Sequence, residues 1–273
     1  MAGRKNTVVF CVAIFSLLLS SVLPGASKRK KDISKARGLR LTDKIPRLQF
    51  VLPRKPKKTR DPVLAGMPAW RFAEPETQRD RDLVFWKDNL KKCQSYLAAA
   101  KKYNLTEGQK KKLQINVAIA RRQIREIETY YKSVRLVIED PDDPDTCLVV
   151  KTSPVNRKYT IEAAVAERQG VPPVWLRYRV ARAHDVLLQT PTVRFKRWQG
   201  FRLHLVWTDA FTPKGQKPRR YHDMVYLYRH VYTRAGPYLV EVSCRWNESP
   251  KRSKDFARAF EYLMRGFTLL DRR

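Results

Sequence analysis

The sequence predicts an α+β protein: an amino-terminal signal or anchor, an antiparallel coiled-coil helical hairpin, then an antiparallel sheet covered by a carboxy-terminal amphipathic helix. Three observations carry this. Leu83, Trp86, Leu90, Cys93, Leu97 and Ala100, and then Leu113, Val117, Ala120, Ile124, Ile127, Tyr131 and Val134, recur every three or four positions, the spacing of one helix stripe. Beyond residue 193 the chain alternates with a period of two, as strands do. Finally, Phe256, Phe260, Leu263, Phe267 and Leu270 form one more helical stripe.

Residues 1–27 come first. Arg4 and Lys5 precede a mostly apolar run over residues 8–19, followed by Ser20, Ser21, Pro24, Gly25, Ala26 and Ser27. A short basic head, an apolar core and a small-residue tail make a secretory signal peptide. The run is short of the roughly 20 residues that span a bilayer comfortably. Cleavage after Ala26 or Ser27 yields an exported protein, and retention yields an amino-terminal membrane anchor. A mitochondrial presequence is the third alternative, but it calls for an amphipathic Arg-rich helix. Cys11 lies inside the apolar core without the small residues a lipoprotein signal needs before it.

Residues 28–75 read as a basic, proline-containing disordered linker ending in a strap. Residues 28–60 hold fourteen Lys and Arg against two acids, with Pro46, Pro53 and Pro56. Such a composition buries too little apolar surface to offset its ordering entropy. Beside a membrane it would act as a polybasic stretch, with about 1 kcal/mol per charge at an anionic surface. Met67, Trp70 and Phe72 belong to an extended strap that docks aromatics on the folded part.

Residues 76–133 are the hairpin. Two seams joined by a few residues bury each other. Thr106 stands three before Gln109, the capping-box arrangement, with Glu107 in the first turn. Each arm of about 24 residues would run about 36 Å. Its outer face is basic: Lys91, Lys92, Lys101, Lys102, Lys110, Lys111, Lys112, Arg121, Arg122 and Arg125.

Residues 134–273 form the α+β domain. Residues 134–139 and 147–152 are β-type runs around an Asp-Pro turn at 140–145, which lacks the glycine a calcium loop uses for its sharp bend. Thr160 caps a helix ending near Gly170. Leu176, Val180, Ala183 and Leu187 favour another. Phe201, Leu203, Leu205 and Trp207, then Met224, Tyr226, Tyr228 and Tyr232, then Tyr238, Val240, Val242, Cys244 and Trp246 mark three meander strands. A basic loop at 212–220 joins the first two. Ser253 caps the closing helix.

The chain carries 57 Lys and Arg against 26 Asp and Glu, a net charge of +31. This field attracts nucleic acid, anionic lipid or acidic glycans without choosing among them. No C-x-x-C, H-x-x-x-H, G-x-S-x-G, P-loop or dinucleotide fingerprint occurs, so no catalytic residue, cofactor or metal site is indicated. His184-Asp185 and His222-Asp223 put neighbours on opposite strand faces and cannot act locally as dyads. Tyr226, Tyr228 and Tyr232 with His230 could stack bases, or serve as a face covered by a helix. Asn104-Leu105-Thr106 and Asn247-Glu248-Ser249 are glycosylation sequons.

Candidate contacts to an anionic surface are therefore Lys28, Arg29, Lys30, Lys31, Arg54, Lys55, Lys57, Lys58, Lys110, Lys111, Lys112, Arg121 and Arg122. Export places the chain where disulfides persist. With Cys11 removed and Cys93 in a helix seam, Cys147 and Cys244 are the candidate pair, set against three buried free thiols. A bridge requires Cα atoms about 5.5–6 Å apart.

Trp198-Gln199-Gly200-Phe201-Arg202-Leu203, the paired long strands and the closing stripe from Phe256 to Leu270 resemble the Mog1/PsbP-like α/β/α sandwich, over roughly residues 134–270. That resemblance implies a non-enzymatic binding or assembly role, with no catalytic residues to carry over. The basic loop and the hairpin depart from it. The expected function is an exported or membrane-tethered interaction protein of the secretory pathway, periplasm or extracellular space. Its partner is another protein or an anionic surface of lipid headgroups or acidic glycan, with no small-molecule substrate. The alternative is a basic nucleic-acid-binding or ribosome-associated protein of an organelle.

Overall fold

The computed structural model describes residues 33–170, 173, 185–195, 198–208, 217–232, 236–248 and 256–270. The expected signal or anchor, Lys28 to Lys31, most of the helix expected after Pro173, the loop at 209–216 and Ser253 lie outside them. Leu187, assigned to that helix, falls in a strand.

The fold is mixed α+β, built on antiparallel sheets. Strands β1 (Gly38–Leu41), β2 (Arg47–Val51) and β3 (Arg71–Ala73) precede β4 (Val134–Asp140) and β5 (Asp143–Pro154). Then come β6 (Asp185–Phe195), β7 (Trp198–Thr208), β8 (Arg220–Tyr232), β9 (Gly236–Asn247) and β10 (Phe267–Leu270). The main sheet has seven strands in the order β3-β4-β5-β9-β8-β7-β6, and a small sheet has the order β1-β2-β10. Every pairing is antiparallel.

The β4–β5 turn closes as the aspartates predict. The Asp142 N–H donates to Asp140 Oδ1 at 2.9 Å, and Thr146 Oγ1 donates to Asp143 Oδ2 at 2.7 Å. Gly200 is required by close approach: a Cβ there would stand 2.4 Å from the Tyr228 ring across the β7–β8 pair.

Alternation sends successive side chains of each strand to opposite faces. One face carries Leu136, Ile138, Leu148, Val150, Met224, Tyr226, Tyr228, Val240, Val242 and Trp246 in a single apolar core. The small sheet and helix α5 (Ala257–Met264) cover it, with Phe50, Phe260 and Phe267 buried. The tyrosines considered for base stacking are therefore core residues at 226 and 228. The opposite face is covered in two places. Helices α2 (Pro75–Ala98) and α3 (Glu107–Lys132) pack over β4 and β5, and α4 (Ile161–Gly170) packs over β7 and β8.

Three sequence expectations are corrected. The basic segment is ordered from residue 33. It forms β1 and β2, the short helix α1 (Pro62–Ala65) capped by Asp61, and β3. Leu48 and Phe50 alternate inward on β2, and a far-off partner strand supplies the hydrogen bonds that composition could not foretell. Second, the closing stripe is not one helix. The chain leaves α5 at Met264 and enters β10. At the junction a Cβ on Gly266 would fall 1.8 Å from the Val51 carbonyl oxygen, so only glycine lets the chain pass. Third, Cys147 and Cys244 are free buried thiols. In the β5–β9 register Cys147 opposes Arg245, and Leu148 opposes Cys244. The two cysteines are one position out of step, and their side chains enter different cores.

The hairpin carries its capping box: Thr106 Oγ1 accepts from the Gln109 N–H at 3.3 Å, and Gln109 Oε1 accepts from the Thr106 N–H at 2.8 Å. Asn104 turns the chain with φ of 47°. Leu83, Trp86, Cys93, Ala120, Ile127 and Tyr131 are the buried apolar residues of the two helices.

Candidate anionic-partner interface

The described candidate contacts fall into two clusters. Arg54, Lys55, Lys57 and Lys58 are exposed in the loop between β2 and α1. Lys55, Lys57 and Lys58 line an open groove with Pro56, Thr59, Arg60 and Ala65. This loop is held to α5: the Tyr262 hydroxyl donates to the Arg54 carbonyl at 3.0 Å, and Arg258 pairs with Asp61 at 3.0 Å. The Arg258 guanidinium and two α1 amides outweigh desolvation and hold the Asp61 carboxyl below its usual range. Lys110, Lys111 and Lys112 occupy the first turns of α3, and Arg121 and Arg122 follow about three turns later. Lys110 pairs with Glu107 at 2.6 Å and Arg122 with Glu126 at 2.9 Å. Consecutive helical residues are 100° apart, so these cations fan around the helix rather than converge. Because the groove belongs to the α5 face and the hairpin to the other, the two clusters lie on opposite faces of the main sheet.

Between the hairpin and α4, strand β9 presents charge inward. Glu241, Ser243 and Arg245 are buried, alternating with Val240, Val242, Cys244 and Trp246. Arg168 of α4 pairs with Asp223 at 2.7 Å and stands 3.7 Å from Glu241, which pairs with Lys151 at 3.2 Å. Ser243 Oγ donates to Asp223 at 2.6 Å. Arg245 reaches Asp82 of α2 at 3.4 Å and donates through Nε to Cys147 Sγ at 2.9 Å, while the Tyr131 hydroxyl donates to Asp82 at 2.7 Å.

Three cations meet three carboxylates, so the stripe neutralises itself. Burial works against the charge on Glu241, but Lys151 and Arg168 overcome it and hold that carboxyl below its usual range. At Asp223 burial prevails over Arg168 and Ser243, and its carboxyl is raised. Burial pushes the Cys147 thiol up to about 11 despite Arg245, so at neutral pH it is protonated and unreactive. Arg81 of α2 and Arg71 of β3 both pair with the buried Glu139. These contacts fasten the base of the hairpin to the sheet. They were missed in the sequence because a charged residue at every second strand position reads as a solvated face.

His222 and Asp223 fall on opposite faces, as neighbours in a strand must. Asp223 joins the ionic stripe. His222 stacks on Trp246 with centroids 4.6 Å apart, meets Glu248 at 3.1 Å through Nε2, and meets His204 at 3.0 Å through Nδ1. No group of three His, Cys, Asp or Glu among the described residues could hold a metal ion. No helix among them is long and apolar enough to cross a membrane.

No family model matches the chain, and no curated protein does. Among solved structures it has a weak structural resemblance to cyanobacterial PsbP (CyanoP) from Synechocystis sp. PCC 6803. The identity is 11% and the TM-score 0.37, over 90% of this chain and 98% of that one.

Proposed function

We propose that this is a non-catalytic interaction protein, exported or membrane-tethered, that engages an anionic macromolecular partner through its helical hairpin. One observation carries the reading. Residues 87–125 hold eleven Lys and Arg against two acids, on a helix pair whose second helix is capped and whose base is fastened to the sheet. The charges of the stripe balance one another, and the hairpin's basic residues are mostly exposed, where they draw in polyanions. The groove at residues 55–65 adds a second basic site on the other face.

The full chain should be retained on immobilised heparin and released as salt rises, because screening shortens from about 30 Å at 0.01 M to about 8 Å at 0.15 M. Replacing Lys110, Lys111, Lys112, Arg121 and Arg122 by Gln should lower the salt needed for release more than replacing Arg54, Lys55, Lys57 and Lys58. Equal release of wild type and the hairpin variant would refute the reading. A second reading, nucleic-acid binding, is favoured by the net charge of +31. It predicts that RNA affinity falls with salt along a slope set by the number of phosphates neutralised.

A further inference from the structure

We infer that the distal end of the hairpin, where α2 runs through a short turn into α3, is a docking surface for an anionic lipid bilayer. This rests on the reading above and names its partner. The distal end is basic, and it is also apolar in a way the other basic site is not. Tyr96 is 46% exposed, Tyr103 51% and Ile115 51%, and one turn further along, at the middle of α3, Ile119 is 45% exposed. Tyr103 follows the exposed Lys101 and Lys102, and Ile115 stands one turn after the exposed Lys111 and Lys112. The groove at residues 55–65 is lined by Lys, Arg, Pro, Thr and a single Ala, with no bulky apolar side chain.

Cations beside bulky apolar side chains suit the headgroup boundary, where ammonium groups meet lipid phosphates and the apolar bodies enter the acyl edge. Tyrosine suits it doubly, with an apolar ring and a hydroxyl that stays wet.

A single-stranded nucleic acid would use the same charge differently, through free aromatic faces. Tyr96 and Tyr103 meet each other edge-on, with centroids 5.5 Å apart and planes at 64°, and the Lys102 ammonium lies 6.0 Å from the Tyr103 centroid; this leaves ring faces open, so the distinction rests on the isoleucines. Ile115 and Ile119 cannot stack with bases. They are one turn apart, hence on one stripe of α3, and exposed isoleucines are useful where something apolar receives them. The positive φ at Asn104 bends the turn that carries Tyr103.

The test uses the full chain in co-sedimentation with phosphatidylcholine vesicles, with and without phosphatidylglycerol. Wild type should bind only the anionic vesicles. The variant Tyr103→Ser/Ile115→Ser/Ile119→Ser keeps every charge, and it should bind those vesicles roughly tenfold more weakly while its heparin release is unchanged. The conservative variant Tyr103→Phe/Ile115→Leu/Ile119→Leu should bind like wild type, and equal thermal melts for all three chains establish that folding is intact. Undiminished vesicle binding by the Ser variant overturns the inference. So does single-stranded RNA binding that falls in a Tyr96→Ser/Tyr103→Ser variant whose vesicle binding holds. Heparin binding without vesicle binding sinks this inference alone, and failure to bind either sinks the reading beneath it.

Discussion

Strand β9 separates two kinds of interior. Its Val240, Val242, Cys244 and Trp246 enter a core that is almost wholly apolar, while Glu241, Ser243 and Arg245, one residue away in each case, enter the ionic stripe. The apolar side needs only shape and volume to be right. The ionic side needs each charge to meet its own mate, since a buried unpaired ion costs several kcal/mol. The first kind of interior stabilises the fold, and the second, lying between the apolar clusters under the hairpin and α4, adds pairings to those that seat both on the sheet.

The sharpest way to break this contrast is at Arg245. Arg245→Met leaves Asp82 facing the sheet without its cation and should cost about 4 kcal/mol in urea unfolding. Adding Asp82→Asn should restore much of that loss, because removing both partners is cheaper than stranding one. A double variant no better than the single would show that packing, rather than charge, is being measured.

On the apolar side, Leu263→Ala, fully buried beneath the main sheet, should cost about 3 kcal/mol from lost transfer and the cavity left behind. That cost should be the same at every pH where the protein folds. A marked pH dependence would mean the two interiors are not separate.

The ionic side should respond to pH in two opposed ways. Glu241 is held below its usual range, so its contribution is complete above the unfolded glutamate pKa and is lost as pH falls through the lower folded value. Asp223 is raised, so its effect favours folding below the unfolded aspartate pKa and is lost as pH rises through the higher folded value. Unfolding midpoints measured across the acid range should therefore fall less steeply toward low pH in Glu241→Gln than in wild type. In Asp223→Asn they should fall more steeply. Identical slopes in all three chains would contradict the assignment.

The smallest effect belongs to the end of the hairpin. Thr106→Ala removes one half of the capping box and should cost about 1 kcal/mol. Hydrogen exchange should quicken in the first turn of α3 and leave the sheet unchanged.

Much of the fold was readable because it is local. The α2 and α3 stripes, the Thr106–Gln109 box, the Asp-Pro turn and the alternation in β7, β8 and β9 each lie within one short window. The basic candidates 54, 55, 57, 58, 110–112, 121 and 122 were equally plain as charges. Their division between opposite faces was not, since it depends on which core each element joins.

The sequence by itself determined periodicity and capping, because backbone geometry forces apolar residues to recur at 3.6 or 2 wherever one side is buried. Only the tertiary structure decided what each apolar run would meet. Leu48 and Phe50 stand in a segment too basic to fold alone, yet they become a strand because Phe267 and Leu269 arrive beside them from the far end of the chain. Phe267 and Leu270 fit a helical stripe as well as a strand, and β2 offers hydrogen bonds that take them out of the helix at Gly266. Glu241 and Arg245 look solvated in sequence and are buried in fact, because Lys151, Arg168 and Asp82 come to them from other elements. Pairing over such separations depends on the whole chain closing, and no window of neighbouring residues contains it.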